Sequence, residues 1–119
     1  MKKIMLVDDM DICNFIMKKF IEKVDPAHQV YDFTDGQQAL YRLEELDPNV
    51  VFLDLNMPVM NGWEFLDNVQ EKDLPYEVYI LTSSTNELDR QRSSKYKNVL
   101  GFLSKPVSEE DLADILQAV

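Results

Sequence analysis

Val50-Val51-Phe52-Leu53-Asp54 is the stretch on which the fold turns: four apolar residues in a row, ending on a carboxylate. A strand with one wet face alternates apolar and polar residues, whereas an unbroken apolar run marks a strand covered on both faces. Two similar runs lie elsewhere, Ile4-Met5-Leu6-Val7 before it and Val78-Tyr79-Ile80-Leu81 after it. Val99 to Leu103 reads as a further strand, and Gln29 to Phe33 as a less apolar one suited to a sheet edge.

Amphipathic stretches separate the strands. From about Met10 to Lys23, residues Cys13, Ile16, Met17, Phe20 and Ile21 form one apolar stripe at helical spacing, with Lys18, Lys19, Glu22 and Lys23 opposite. Thr34-x-x-Gln37 has the pattern of a capping box for a helix running to about Leu46, and Pro48 closes that connection. Asn61-Gly62 leads into a helix near Trp63 to Gln70, a polar helix with a thin apolar stripe follows from about Asn86 to Lys95, and Ser108-x-x-Asp111 opens the last helix. Strict strand and helix alternation with buried strands predicts a parallel sheet between two helical layers, because each parallel crossover needs a helix and takes one hand. The expected class is α/β, a three-layer α/β/α sandwich with five strands. The strand order 2-1-3-4-5 comes by analogy with flavodoxin-like folds.

Composition limits the function. A chain of 119 residues with 45% hydrophobic content suits one domain over 1–119. A net charge of -10 repels a phosphate backbone, so nucleic acid is not an expected partner. The single cysteine, Cys13, allows no internal disulfide and fits a reducing compartment, with the cytoplasm as the expected location. The first apolar run has four residues, too short for a signal-peptide core or a membrane span, so no membrane association is expected.

In open α/β sheets, ligands bind beyond the carboxyl ends of the strands. Those positions carry Asp8-Asp9 after the first strand, Asp54 after the third, Thr82 after the fourth, and Ser104-Lys105-Pro106 after the fifth. Three carboxylates at one sheet end repel one another, and a hard divalent cation with oxygen ligands holds such a set together; with no His or Cys cage nearby, Mg²⁺ leads. A carboxylate is also a competent nucleophile toward phosphorus. In a loose phosphoryl transition state the protein mainly positions groups and neutralises equatorial oxygens, which suits Lys105 and the Thr82 hydroxyl. Asp54 is the expected nucleophile, standing between the acid pair and the Thr/Lys side.

Asp8-Asp9, the segment Asp54-Leu55-Asn56-Met57-Pro58-Val59-Met60-Asn61-Gly62, Thr82-Ser83 and Lys105-Pro106 together closely resemble the signature of response-regulator receiver domains, over essentially the whole chain. The resemblance implies a phosphorylation switch of a two-component system. In it Asp54 accepts a phosphoryl group from a sensor histidine kinase or a histidine phosphotransfer protein and relays the signal to a downstream protein target. It further implies Mg²⁺ bound directly by Asp9, Asp54 and the Asn56 backbone carbonyl, with Asp8 acting mostly through water. Lys105 would pair with a phosphoryl oxygen, Thr82 would move toward another, and Phe102 would be the aromatic switch that turns inward. Lys105-Pro106 matches a position where the family uses a cis peptide. The switch would be a monomer or a phosphorylation-linked dimer and not an enzyme in its own right. Phe102 departs from relatives with tyrosine there, since it has no hydroxyl.

Taken singly, each residue has a plainer reading. Asp8-Asp9 could be a solvated helix start, Lys105 a surface lysine, Thr82 a cap and Phe102 a core residue; the set at successive strand ends carries the functional reading. Cys13 reads as a small core residue, Met5, Met10, Met17, Met57 and Met60 as packing residues, Gly62 as a loop position needing small size or positive φ, and the charges from Asn86 to Lys97 as a solvated face. Three other functions compete. A phosphatase with an aspartyl nucleophile, similar to the haloacid dehalogenase type, would carry a second aspartate where this chain has Asn56. A pseudo-receiver would dock without chemistry, against which stands the presence of all four groups. A flavin carrier of similar fold is disfavoured by Asp8-Asp9-Met10-Asp11, whose carboxylates would repel a phosphate.

Overall fold

The computed structural model describes residues 2–57, 60–82 and 87–118; Met1, Pro58, Val59, Ser83, Asn86 and Val119 of the sequence reading lie outside them. Five strands and five helices alternate: β1 (Lys3–Val7), α1 (Asp11–Val24), β2 (Gln29–Phe33), α2 (Gly36–Leu46), β3 (Val50–Asp54), α3 (Gly62–Glu71), β4 (Glu77–Thr82), α4 (Glu87–Ser93), β5 (Val99–Ser104) and α5 (Glu109–Ala118). The sheet is parallel throughout, as the alternation predicted, and its order is β2-β1-β3-β4-β5, the one expected by analogy.

β3 is central, and every one of its residues is buried, which is why its sequence is unbroken by polar groups. Side chains alternate between two cores. Met5, Val7, Val51, Leu53, Val78 and Ile80 face the α2/α3 side with Leu43, Phe65 and Val69. Ile4, Leu6, Val50, Phe52 and Leu81 face the α1/α5 side with Ile21 and Leu112. β2 is an edge strand paired only with β1 and has no fully buried residue. Between Val78 and Tyr79 the β4–β5 register skips one residue, leaving Leu100 unpaired and 51% exposed.

Several local expectations need correction. The buried positions of α1 are Asn14, Met17 and Ile21, so Met17 and Ile21 of the apolar stripe face inward as read, while Ile16 is exposed, Cys13 is only half-buried and the polar Asn14 takes the third inward position. Met10, expected as a packing residue, is 52% exposed. The cap of α2 is Asp35, whose Oδ1 accepts the Gln37 N–H, and not Thr34. A full capping box instead opens α3, between Asn61 and Glu64. α4 ends at Ser93, two residues short of Lys95. The Ser108 cap of α5 is present, its hydroxyl accepting the Asp111 N–H.

Candidate functional site

All strands being parallel, the ends of β1, β3, β4 and β5 open on the same sheet edge. The local backbone aims two carboxylates in the same way. Asp8 Oδ1 accepts the Met10 N–H at 3.0 Å, and Asp54 Oδ1 accepts the Asn56 N–H at 3.1 Å, so each side chain is held by the amide two residues on. The second oxygen of each then faces the end of β5. Lys105 Nζ lies 2.7 Å from Asp8 Oδ2 and 3.1 Å from Asp54 Oδ2. The lysine is set by its own backbone, whose N–H donates to the Thr82 carbonyl at 2.8 Å and extends the β4–β5 ladder by one residue. The Lys105–Pro106 peptide is cis.

Asp8 and Asp54 are buried and Asp9 is exposed, and ligand atoms of the three carboxylates lie within 4.8 Å of one another. This cluster could hold a metal ion. Its chemistry fits a hard cation: three carboxylates converge with one ammonium, Lys105, paired to two of them, and the buried Asp8 Oδ2 meets that ammonium only as an ion pair, without an aligned hydrogen bond among the described residues. Burial pushes the Asp54 carboxyl above the usual carboxylate range and the Asp8 charge pushes the same way; the Asn56 N–H and Lys105 oppose this without cancelling it. For Lys105, burial alone would lower the ammonium's pKa, but Asp8 and Asp54 together raise it, so it stays charged.

The remaining expected residues are placed as follows. Thr82 is buried at the end of β4, paired in register with Ser104. Asn56 is exposed just beyond Asp54. Phe102 is not part of the acid cluster: it is half-buried against the α2/α3 core, with the Arg90 guanidinium of α4 5.3 Å from its ring centre. Trp63 is buried, stacked on Tyr96 and covered by Arg92 at 4.4 Å. The charges of α4 are therefore not only a solvated face. Sequence reading missed these two arginines, as their spacing carries no signal. It also missed Asn14, which a polar residue in phase with Met17 and Ile21 could have revealed. A cavity of about 300 Å³ separates α1 from Lys105-Pro106-Val107, with Cys13 in its wall and burial holding that thiol's pKa up.

Residues 4–117 match the response regulator receiver domain family. Among curated proteins, the chain is 34% identical over 113 residues to the nitrate/nitrite response regulator protein NarL of Escherichia coli, covering 95% of this chain and 52% of that protein. It is likewise 34% identical over 117 residues to an uncharacterized response regulatory protein of Staphylococcus epidermidis, covering 98% of this chain and 45% of the relative. The chain spans about half the length of these curated relatives. Among solved structures, the chemotaxis protein CheY4 of Vibrio cholerae superposes with a TM-score of 0.88 at 29% identity, over 100% of this chain and 98% of the other. A two component response regulator from Cytophaga hutchinsonii gives 0.87 at 28% identity, over 98% and 94% of the two chains. Among the described residues no helix is long and apolar enough to cross a membrane.

Proposed function

Since the chain belongs to the response regulator receiver domain family, we propose that it is a phosphorylation-dependent signalling switch, one domain over 1–119, with Asp54 as the phosphoryl acceptor. The observation that carries this reading is the placement of one ammonium, Lys105 Nζ, against the free oxygens of both Asp8 and Asp54 at the end of the central strands. A carboxylate between a cationic group and further acids has the surroundings that transfer of a phosphoryl group requires.

In the proposed step an Asp54 carboxylate oxygen forms a bond to phosphorus while the P–N bond to a phosphohistidine breaks. The electron pair leaves with the imidazole. Asp9, Asp54 and the Asn56 carbonyl would hold Mg²⁺, with Asp8 acting through water, and the cation would supply the positive charge that neutralises the phosphoryl oxygens. Lys105 gives up its contact with Asp54 to pair with one of those oxygens. The Thr82 hydroxyl donates to another, and Phe102 turns inward behind it. The donor would be a sensor histidine kinase or a histidine phosphotransfer protein, the output a contact with a downstream protein, and the setting the cytoplasm. The role is that of a switch and not of an enzyme, since the position where an aspartyl phosphatase would carry a general acid is the amide Asn56.

Incubation with acetyl phosphate and Mg²⁺, followed by intact mass, tests this. The expected result is one added phosphoryl group, absent without Mg²⁺ and absent in Asp54→Asn. An unchanged adduct in that variant would remove Asp54 from the role.

A further inference from the structure

We propose that Asn14 is a positioning residue of the acid site, holding Asp8 at the end of β1 so that its carboxylate stays in register with Asp54 and Lys105; this rests on the cation-binding reading given above. Asn14 lies on the inward face of α1 and is only 2% exposed. Its Nδ2 donates both to the Asp8 carbonyl at 3.1 Å and to the Phe33 carbonyl at 3.2 Å. Phe33 O also accepts the Asp8 N–H at 3.0 Å. One side-chain amide thus ties the backbone just beyond β1 to the end of β2, where the sheet ladder stops.

The other half of the amide points to a positional role over a stabilising one. Asn14 Oδ1 is buried and has no hydrogen-bond partner among the described residues. A buried acceptor left unpaired costs stability, and an apolar side chain of similar volume would avoid that cost. The amide orientation is fixed by its two carbonyl neighbours, since only the NH₂ end can donate to both. What asparagine adds over leucine at this position is therefore the anchoring of the Asp8 main chain. The Asp8 carboxylate in turn depends on that main chain, because its Oδ1 is held by the Met10 N–H two residues on. A shift of the Asp8 backbone moves Oδ2 away from Lys105 and away from the other two carboxylates.

Groups that orient metal ligands without touching the metal typically change metal affinity by about tenfold to a hundredfold when removed. The test is Mg²⁺ titration by calorimetry on wild type, Asn14→Leu and Asn14→Ser, alongside urea unfolding of each without Mg²⁺. Asn14→Leu keeps the heavy-atom count and the branch at Cγ and loses the donor; it is expected to unfold at a urea midpoint close to wild type and to bind Mg²⁺ about tenfold more weakly. Asn14→Ser keeps a donor on a shorter arm and is expected to fall between the two. A folded Asn14→Leu protein with wild-type affinity overturns the positioning role while leaving the cation site intact. Wild type that takes up no Mg²⁺ overturns the reading of the site itself. Should Asn14→Leu fail to fold, the smaller serine variant decides, and wild-type affinity there, with the two carbonyl contacts reduced to at most one, likewise overturns the role.

Discussion

At the scale of single residues, Gly62 shows how closely the site is built against its supports. A Cβ placed there would lie 2.7 Å from the Asp54 carbonyl oxygen and 2.8 Å from Leu55 Cα, both backbone atoms that cannot step aside. Its φ is not positive, so small size is what the position demands, one of the two reasons the sequence offered. Gly62→Ala is expected to destabilise the fold by about 1–3 kcal/mol, as overpacking does. Since the atom it strikes belongs to Asp54, it should weaken Mg²⁺ binding as well. Urea unfolding and Mg²⁺ titration read the two effects separately. Gly101→Ala is the control: its nearest neighbours are Tyr79 ring atoms at 3.4 and 3.5 Å, so it should leave Mg²⁺ binding unchanged.

At the scale of elements, the seam between α3 and α4 matters because each is the next helix in the chain after a residue of the site, Asp54 and Thr82 respectively. Trp63 stacks on Tyr96, Arg92 covers Trp63, and the Tyr96 hydroxyl donates to Asp67. Tyr96→Phe removes a hydroxyl-to-carboxylate bond from a buried ring and is expected to cost about 1–2 kcal/mol in urea unfolding. Arg92→Ala removes a partly solvated cation–π contact and should cost about 0.5–1 kcal/mol. Both should speed amide exchange in α4 before that in the sheet. This seam was invisible in the sequence, whereas the strands were not. A strand covered on both faces must be apolar at every position, so β1, β3 and β4 announced themselves, and with them the acids that follow. Helix faces were less legible. In α1 the counted apolar residues included Ile16, which is exposed, and left out Asn14, which is buried to bond two carbonyls. Hydrophobicity alone cannot register an amide kept inside for its donors. Likewise Asp8, Asp54 and Lys105 could be placed at one sheet edge from sequence, but not the pairing of one lysine with both carboxylates, which depends on the turns that aim each Oδ1 at a backbone amide.

For the whole molecule, the acid site sets a conflict between folding and charge that pH and cations should expose. Asp54 is held above its ordinary pKa first by burial and then by Asp8, with Lys105 and the Asn56 N–H in opposition and Asp9 exposed nearby. The folded state therefore keeps the Asp54 proton to a higher pH than the unfolded chain does. Between the unfolded value, about 4, and the raised folded value, the native state binds more protons, so stability falls as pH rises through that window. The contribution is fully present below the unfolded pKa and gone above the folded one. Measured by urea unfolding without divalent cations, wild type should lose stability across this range more steeply than Asp54→Asn, in which the titrating group is absent. At neutral pH the asparagine variant should then be the more stable of the two. On the proposed reading Mg²⁺ binds the folded arrangement of acids, so it should raise the wild-type midpoint by mass action while leaving Asp54→Asn nearly unchanged. With a net charge of -10, any salt relieves some general repulsion, so NaCl at matched ionic strength is the necessary comparison. Equal gains from NaCl and Mg²⁺ in wild type would mean that the three carboxylates act as unspecific surface charge and not as a cation site.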